Sequence, residues 1–158
     1  MLASLVYAGD FSDALPYNLG AAEIKKQEAE RQFWNWSTPV MSWELDSDNT
    51  NTVWLTEGGI GPYASRAAKV YRCPADLVVS DIQAQAGWRA RVRSISMNAM
   101  VGNAGQFILA GANTNNPYYR QFLKLAQIPQ PAQIFVLTEE HPDSINDGYF
   151  LNKPDSMQ

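Results

Sequence analysis

The residues with chemical reach are few, and they gather late in the chain. Glu139, Glu140, His141, Asp143 and Asp147 form the densest group of titratable side chains, directly after the apolar run Ile134 to Thr138. Loops at strand ends are where many folds carry function. Asp143, Asn146 and Asp147, with Ser144 among them and Gly148 following, offer hard oxygen ligands in close succession. Such a set suits Ca²⁺, and the same residue types equally build a turn whose carboxylates and amides cap backbone groups. Calcium is the one cofactor that this pattern brings into consideration. The chain holds one histidine, His141, and one cysteine, Cys73. A two-histidine metal site, a cysteine-rich zinc site and an intrachain disulfide are therefore excluded. Nucleophilic catalysis would have to join His141 to Cys73 or to a serine. Cys73 lies in a turn-like CPAD segment with no nucleophile motif around it and reads as a small apolar side chain. No catalytic residue is assigned.

Three further groups each carry a bland reading and a sharper one. Asp46, Asp48, Thr50 and Glu57 fall at calcium-ligand positions of an EF-hand loop, but Asn51 stands where that loop needs glycine and Gly58-Gly59 deny it an exiting helix. Arg89, Arg91 and Arg93 alternate along an expected strand, which points to a solvated face or a charge-protected edge, with a phosphate or acidic-subunit contact as the alternative. Trp34, Trp36 and Trp43 ordinarily belong to a core; exposed, they would form a carbohydrate- or peptide-binding surface. Acidic residues number 16 against 12 basic ones, a net charge of -4, so no nucleic-acid partner is expected.

A chain of 158 residues with 46% apolar content makes one domain able to bury a core without metal or disulfide staples. Met1 to Ala8 is apolar but far too short to span a membrane, and with no capping residue before it and Gly9 after it, it reads as the last turns of an apolar helix. Gly20 to Trp34 has helix formers throughout and predicts a surface helix. Asp46 to Thr52 reads as a polar turn capping a short segment, Val53 to Glu57. Ala90 to Met97 alternates with period two and predicts a strand; Ile134 to Thr138, set off by Pro129 and Pro131, predicts a strand in the middle of a sheet. Asn113 to Pro117 reads as a loop, and Tyr118 to Leu125 as a strand or a helical turn. The polar end, Asn152 to Gln158, supplies no closing element. The sum is an α+β fold with an antiparallel sheet and long irregular loops.

Taken together, LASLVYAGDFSDALPYN at Leu2 to Asn18, DNTNTVWLTEGGIGPY at Asp48 to Tyr63, YRCPAD at Tyr71 to Asp76, RVRSISMNAMVG at Arg91 to Gly102 and EEHPDSINDGYF at Glu139 to Phe150 resemble bacterial proteins with a prepilin-type cleavage and methylation N-terminus. These are the type IV pilin-like and type II secretion pseudopilin-like proteins. The resemblance implies a pilin-like head spanning residues 1–158, with residues 1–9 as the end of an N-terminal helix packed on an antiparallel sheet and residues 10–158 as the head. It implies a non-catalytic structural subunit of a pilus-like or pseudopilus-like filament, at the inner membrane and periplasm or the cell surface. Its partners would be other subunits and the assembly machinery, and its membrane contact would run only through the rest of the apolar helix. Calcium binding in the C-terminal loop of major pseudopilins suggests the same role for Asp143, Asn146 and Asp147. The family's closing His…Asp-Gly segment has a longer spacing than His141 to Gly148.

Overall fold

The computed structural model describes residues 2–153; Met1 of the expected helix and residues 154–158 of the polar end lie outside the described residues. Regular structure is sparse and short. The helices are α1 (Leu2–Asp10), α2 (Ala21–Ala29), α3 (Val53–Thr56) and α4 (Asp81–Gln85), with several single 3₁₀ turns between elements. The strands are β1 (Ile95–Asn98), β2 (Ile108–Leu109), β3 (Ala112–Asn113), β4 (Asn116–Arg120), β5 (Leu137–Glu139) and β6 (Tyr149–Phe150). The fold is mixed α+β, with a short N-terminal helix and two small three-stranded sheets.

One sheet has the order β5-β1-β6 and is mixed rather than antiparallel: β1 runs antiparallel to β5 and parallel to β6. The other, β2-β3-β4, is an antiparallel meander. The expected strand at Ile134 to Thr138 is therefore both shifted and misplaced. Leu137–Glu139 pairs on one side only, as an edge strand, and Ile134 to Val136 turn their apolar side chains to a groove instead of a sheet interior. The Asn113 to Pro117 loop contracts to a hairpin turn at Thr114 and Asn115, flanked by paired residues.

The α2 helix stops well short of Trp34. Arg31 adopts a left-handed conformation with φ 54°, and the Gln32 N–H closes back on the Gln27 carbonyl at 2.8 Å. This C-terminal closure releases the chain so that Trp36 can enter the core. Trp36 is 1% exposed and packs with Leu55, Tyr71, Met97, Val101 and Ile145. Its indole N–H donates to Asn18 Oδ1 at 3.0 Å and to the Gly148 carbonyl at 3.2 Å. Asn18, fully buried, sends its own amide to the carbonyls of Met97, Asn98 and Val101. Asn113 and Gln121 do the same work under the second sheet, the latter donating to the Ala99 and Gly102 carbonyls at 3.0 and 2.8 Å.

The N-terminal segment is helical, as expected, but its main contact is not a sheet. Ser4 and Ala8 are buried, and the helix leans on the 3₁₀ turn Pro62–Ala64 through Tyr7, whose ring meets Tyr63 edge-on at 5.5 Å and stacks on Phe11 at 4.3 Å. It reaches β5 only across an apolar groove shared by Ser4, Leu5 and the stretch Ile134 to Leu137. Among the described residues, no helix is long and apolar enough to cross a membrane.

Gly102 shows how tightly the loops are fitted. It sits at φ 89°, and a Cβ there would run into the Pro16 carbonyl oxygen, whereas Gly87, at φ 84°, has nothing within 4 Å of the same position. Both substitutions by alanine carry backbone strain; only the first adds a clash with main chain. Gly102→Ala should lower stability by about 2–4 kcal/mol and Gly87→Ala by about 1 kcal/mol, read from urea unfolding. Equal losses at the two positions would show that the close approach at Gly102 is not a constraint.

Candidate functional site

The acidic C-terminal loop does not assemble as one site. Asp147 is the only one of its expected ligands that turns inward, and its carboxylate is already engaged. One oxygen accepts the Ala21 N–H at 2.8 Å and the other accepts the Tyr149 N–H at 3.0 Å. Ala21 is the first residue of α2, so Asp147 supplies from across the fold the cap that Gly20 lacks, placed at the positive end of the helix dipole. Burial raises its pKa, while the two N–H donors and Arg93 oppose that rise. Asn146 contributes its carbonyl, which accepts from the Met41 N–H at 2.7 Å and from Arg93 Nη2 at 3.2 Å. Asp143 points to solvent beside His141, with Nδ1 and Oδ2 3.6 Å apart. Among the described residues, no group of three or more His, Cys, Asp or Glu side chains is placed to hold a metal ion.

The EF-hand-like residues are likewise dispersed. Asp46 accepts from the Ser42 hydroxyl at 2.6 Å, Asp48 from the Val40 N–H and Lys25, and Glu57 pairs with Arg66. Cys73 is half-buried, and its N–H donates to Ser94 Oγ at 2.7 Å. The Ser144 hydroxyl donates to the His141 carbonyl, not to the ring.

The arginine triplet departs most from the expected solvated face. Arg93 is 0% exposed and Arg91 is 3% exposed. Arg93 Nη1 donates to the Ile95 carbonyl at 2.6 Å and to Ser96 Oγ at 3.0 Å. Arg91 donates to the Pro142 carbonyl at 2.9 Å and lies 4.0 Å over the Trp43 ring. Burial pulls the Arg93 pKa down to about 10, against the favourable fields of Asp147 and Glu140. Both guanidinium groups thus tie the His141 to Gly148 loop to the chain leading into β1, and Arg89 alone remains exposed. Period-two patterning fails here because the strand begins only at Ile95, and the arginines serve carbonyls instead of solvent.

The three tryptophans part company. Trp36 is core, Trp43 lies half-buried under Arg91, and Trp34 is 54% exposed. Trp34 opens on a groove of about 510 Å³ between α1 and the turn Gly58 to Tyr63, shared with Tyr7, Phe11, Tyr17, Phe33 and Tyr63. Tyr17 and Trp34 meet with ring centroids 6.1 Å apart, and Phe33 adjoins Trp54 at 5.0 Å. The Tyr63 hydroxyl donates to Asp10 Oδ2 at 3.0 Å. Burial raises the Tyr7 pKa, and the nearby phenols of Tyr17 and Tyr63 add to the shift. Of the groove's aromatic residues, only Trp34 is singled out by the sequence as a binding candidate; the signal that could have found Tyr7 and Phe11 is their i,i+4 spacing along an amphipathic helix end.

Comparison of the chain with family models, with curated proteins and with solved structures gives no match.

A second electrostatic feature holds α2 in place. Lys25 bridges Glu28 at 2.9 Å and Asp48, gathering two carboxyl groups around one ammonium. Burial raises the Glu28 pKa, Lys25 opposes it and Asp48 adds to it, leaving it at about 7 against an ordinary 4.5. A carboxyl whose folded value is raised stabilises the fold below its unfolded value, and that contribution is lost as pH rises through the folded one. The melting temperature should therefore fall between about pH 5 and pH 8, and Glu28→Gln, which keeps the neutral form, should flatten that fall. A variant with the same pH dependence as the parent would remove Glu28 from the explanation.

Proposed function

We propose that this chain is the non-catalytic head of a structural subunit in a type IV pilus-like or type II secretion pseudopilus-like filament, positioned at the periplasm or cell surface. One observation carries the reading: α1 is an apolar helix that gives only a narrow face to the head. Ser4 and Ala8 are buried, while Leu2, Leu5 and Val6 are 75, 44 and 48% exposed. Exposed aliphatic side chains in a row on one helix face are a surface for other apolar helices. The partners in this reading are further subunits and the assembly machinery, and the head contributes shape and rigidity rather than chemistry.

The test uses the gene in its native bacterium, with Cys73→Ser and a single cysteine at Leu5 or Val6. Oxidation of intact cells should give disulfide-linked dimers in an assembly-competent background and lose them when assembly is disabled. Cysteines that remain monomeric and freely alkylated in both backgrounds would count against a filament.

A second reading, a ligand-binding surface module, is favoured by a different observation. Trp34 stands exposed in an aromatic groove, in place of the shared Trp34, Trp36 and Trp43 surface expected from the sequence.

A further inference from the structure

The groove beside α1 combines two kinds of negative potential. Its lining includes the rings of Tyr7, Tyr17, Phe33, Trp34 and Tyr63, and the face of an aromatic ring carries the negative part of its quadrupole. Asp10 lies next to this lining, accepting a hydrogen bond from the hydroxyl of Tyr63. Asp10 is the last residue of α1, so its carboxylate sits at the negative end of the helix dipole, where a cation is normally favoured. Among the described residues, no Lys or Arg forms an ion pair with it. Glu57, also on the groove, is already matched by Arg66.

We infer that the groove between α1 and the Gly58 to Tyr63 turn binds a small organic ammonium ion, with its alkyl coat against Trp34 and the tyrosine rings and its charge near Asp10. The inference rests on the ligand-surface reading and is independent of the filament one. An alkylated ammonium is preferred to a metal ion because the lining offers aromatic rings in place of a set of oxygen ligands, and to a neutral sugar because no described Lys or Arg pairs with Asp10.

The chain of 158 residues is titrated with choline and, separately, with dimethylbutanol, its uncharged carbon isostere. The readout is the Trp34 indole resonance, assigned from a Trp34→Phe variant. Choline should shift that resonance saturably and bind at least about tenfold more tightly than the isostere, with affinity falling as salt is raised. Asp10→Asn, followed by the same resonance, and Trp34→Ala, followed by isothermal titration calorimetry alongside the parent, should each weaken choline by about threefold to tenfold. Tyr118→Ala, an exposed aromatic elsewhere, should leave it unchanged. Thermal melts of the same samples establish that the variants are folded. Equal binding of the isostere, or choline binding insensitive to both variants, overturns the inference. A glycan or proline-rich peptide that saturates Trp34 where choline does not would overturn it and keep the ligand-surface reading. Silence of all the probes would remove both.

Discussion

So much of this chain is irregular that regular ladders satisfy little of its backbone; loop-to-loop main-chain bonds take up part of the rest, and buried side-chain amides join them in the interior. Strands of two to five residues leave most carbonyls and N–H groups without ladder partners. A buried backbone polar group without a partner costs about 1–3 kcal/mol, so each loop crossing the interior needs a donor or acceptor brought to it. Asn18, Asn35, Asn49, Gln83 and Asn113 are 0% exposed and Gln121 is 3% exposed. Each reaches main chain distant in sequence or closes a turn beside it. Asn35 takes the Leu19 N–H at 2.8 Å, and Gln83 donates to the carbonyls of Ser42 and Glu44 at 3.1 and 2.7 Å. Arg91 and Arg93 extend the same device with guanidinium groups.

This arrangement decides what can move apart from what. Segments joined by amide hubs cannot shift without exposing several polar groups at once, so the interior around Trp36 is pinned. By contrast, α1 is attached through its narrow buried face at Ser4 and Ala8, the aromatic contacts of Tyr7 and one phenol-carboxylate hydrogen bond. An apolar groove adjoins α1 at Ser4 and Leu5, and an aromatic groove adjoins its other end at Tyr7. Both proposals of function use this outer layer, one through the aliphatic face of the helix and the other through the aromatic one.

The parts legible in the sequence are those whose causes are local. The apolar helix at Leu2 to Ala8 and the helix formers after Gly20 follow from composition over a few residues. The parts that were not legible depend on partners far along the chain. Ile134 to Val136 has the look of a central strand, and nothing nearby tells that its apolar side chains line a groove. Arg93 and Asp147 read as surface charges until the carbonyl of Asn146 and the N–H of Ala21 arrive beside them. Asn18 and Asn113 resemble ordinary turn residues, because the same amide that caps a local turn can also serve carbonyls about 80 residues away, as Asn18 does with Met97, Asn98 and Val101.

The most direct measurement is urea unfolding of Asn18→Leu, which keeps the branched outline of the side chain and removes its polarity. If side-chain amides hold this interior together, the Met97, Asn98 and Val101 carbonyls lose a shared donor and the Trp36 N–H loses one of its acceptors, so stability should drop by about 3 kcal/mol or more. A variant within about 0.5 kcal/mol of the parent would contradict that picture and return the burden of stability to apolar packing alone.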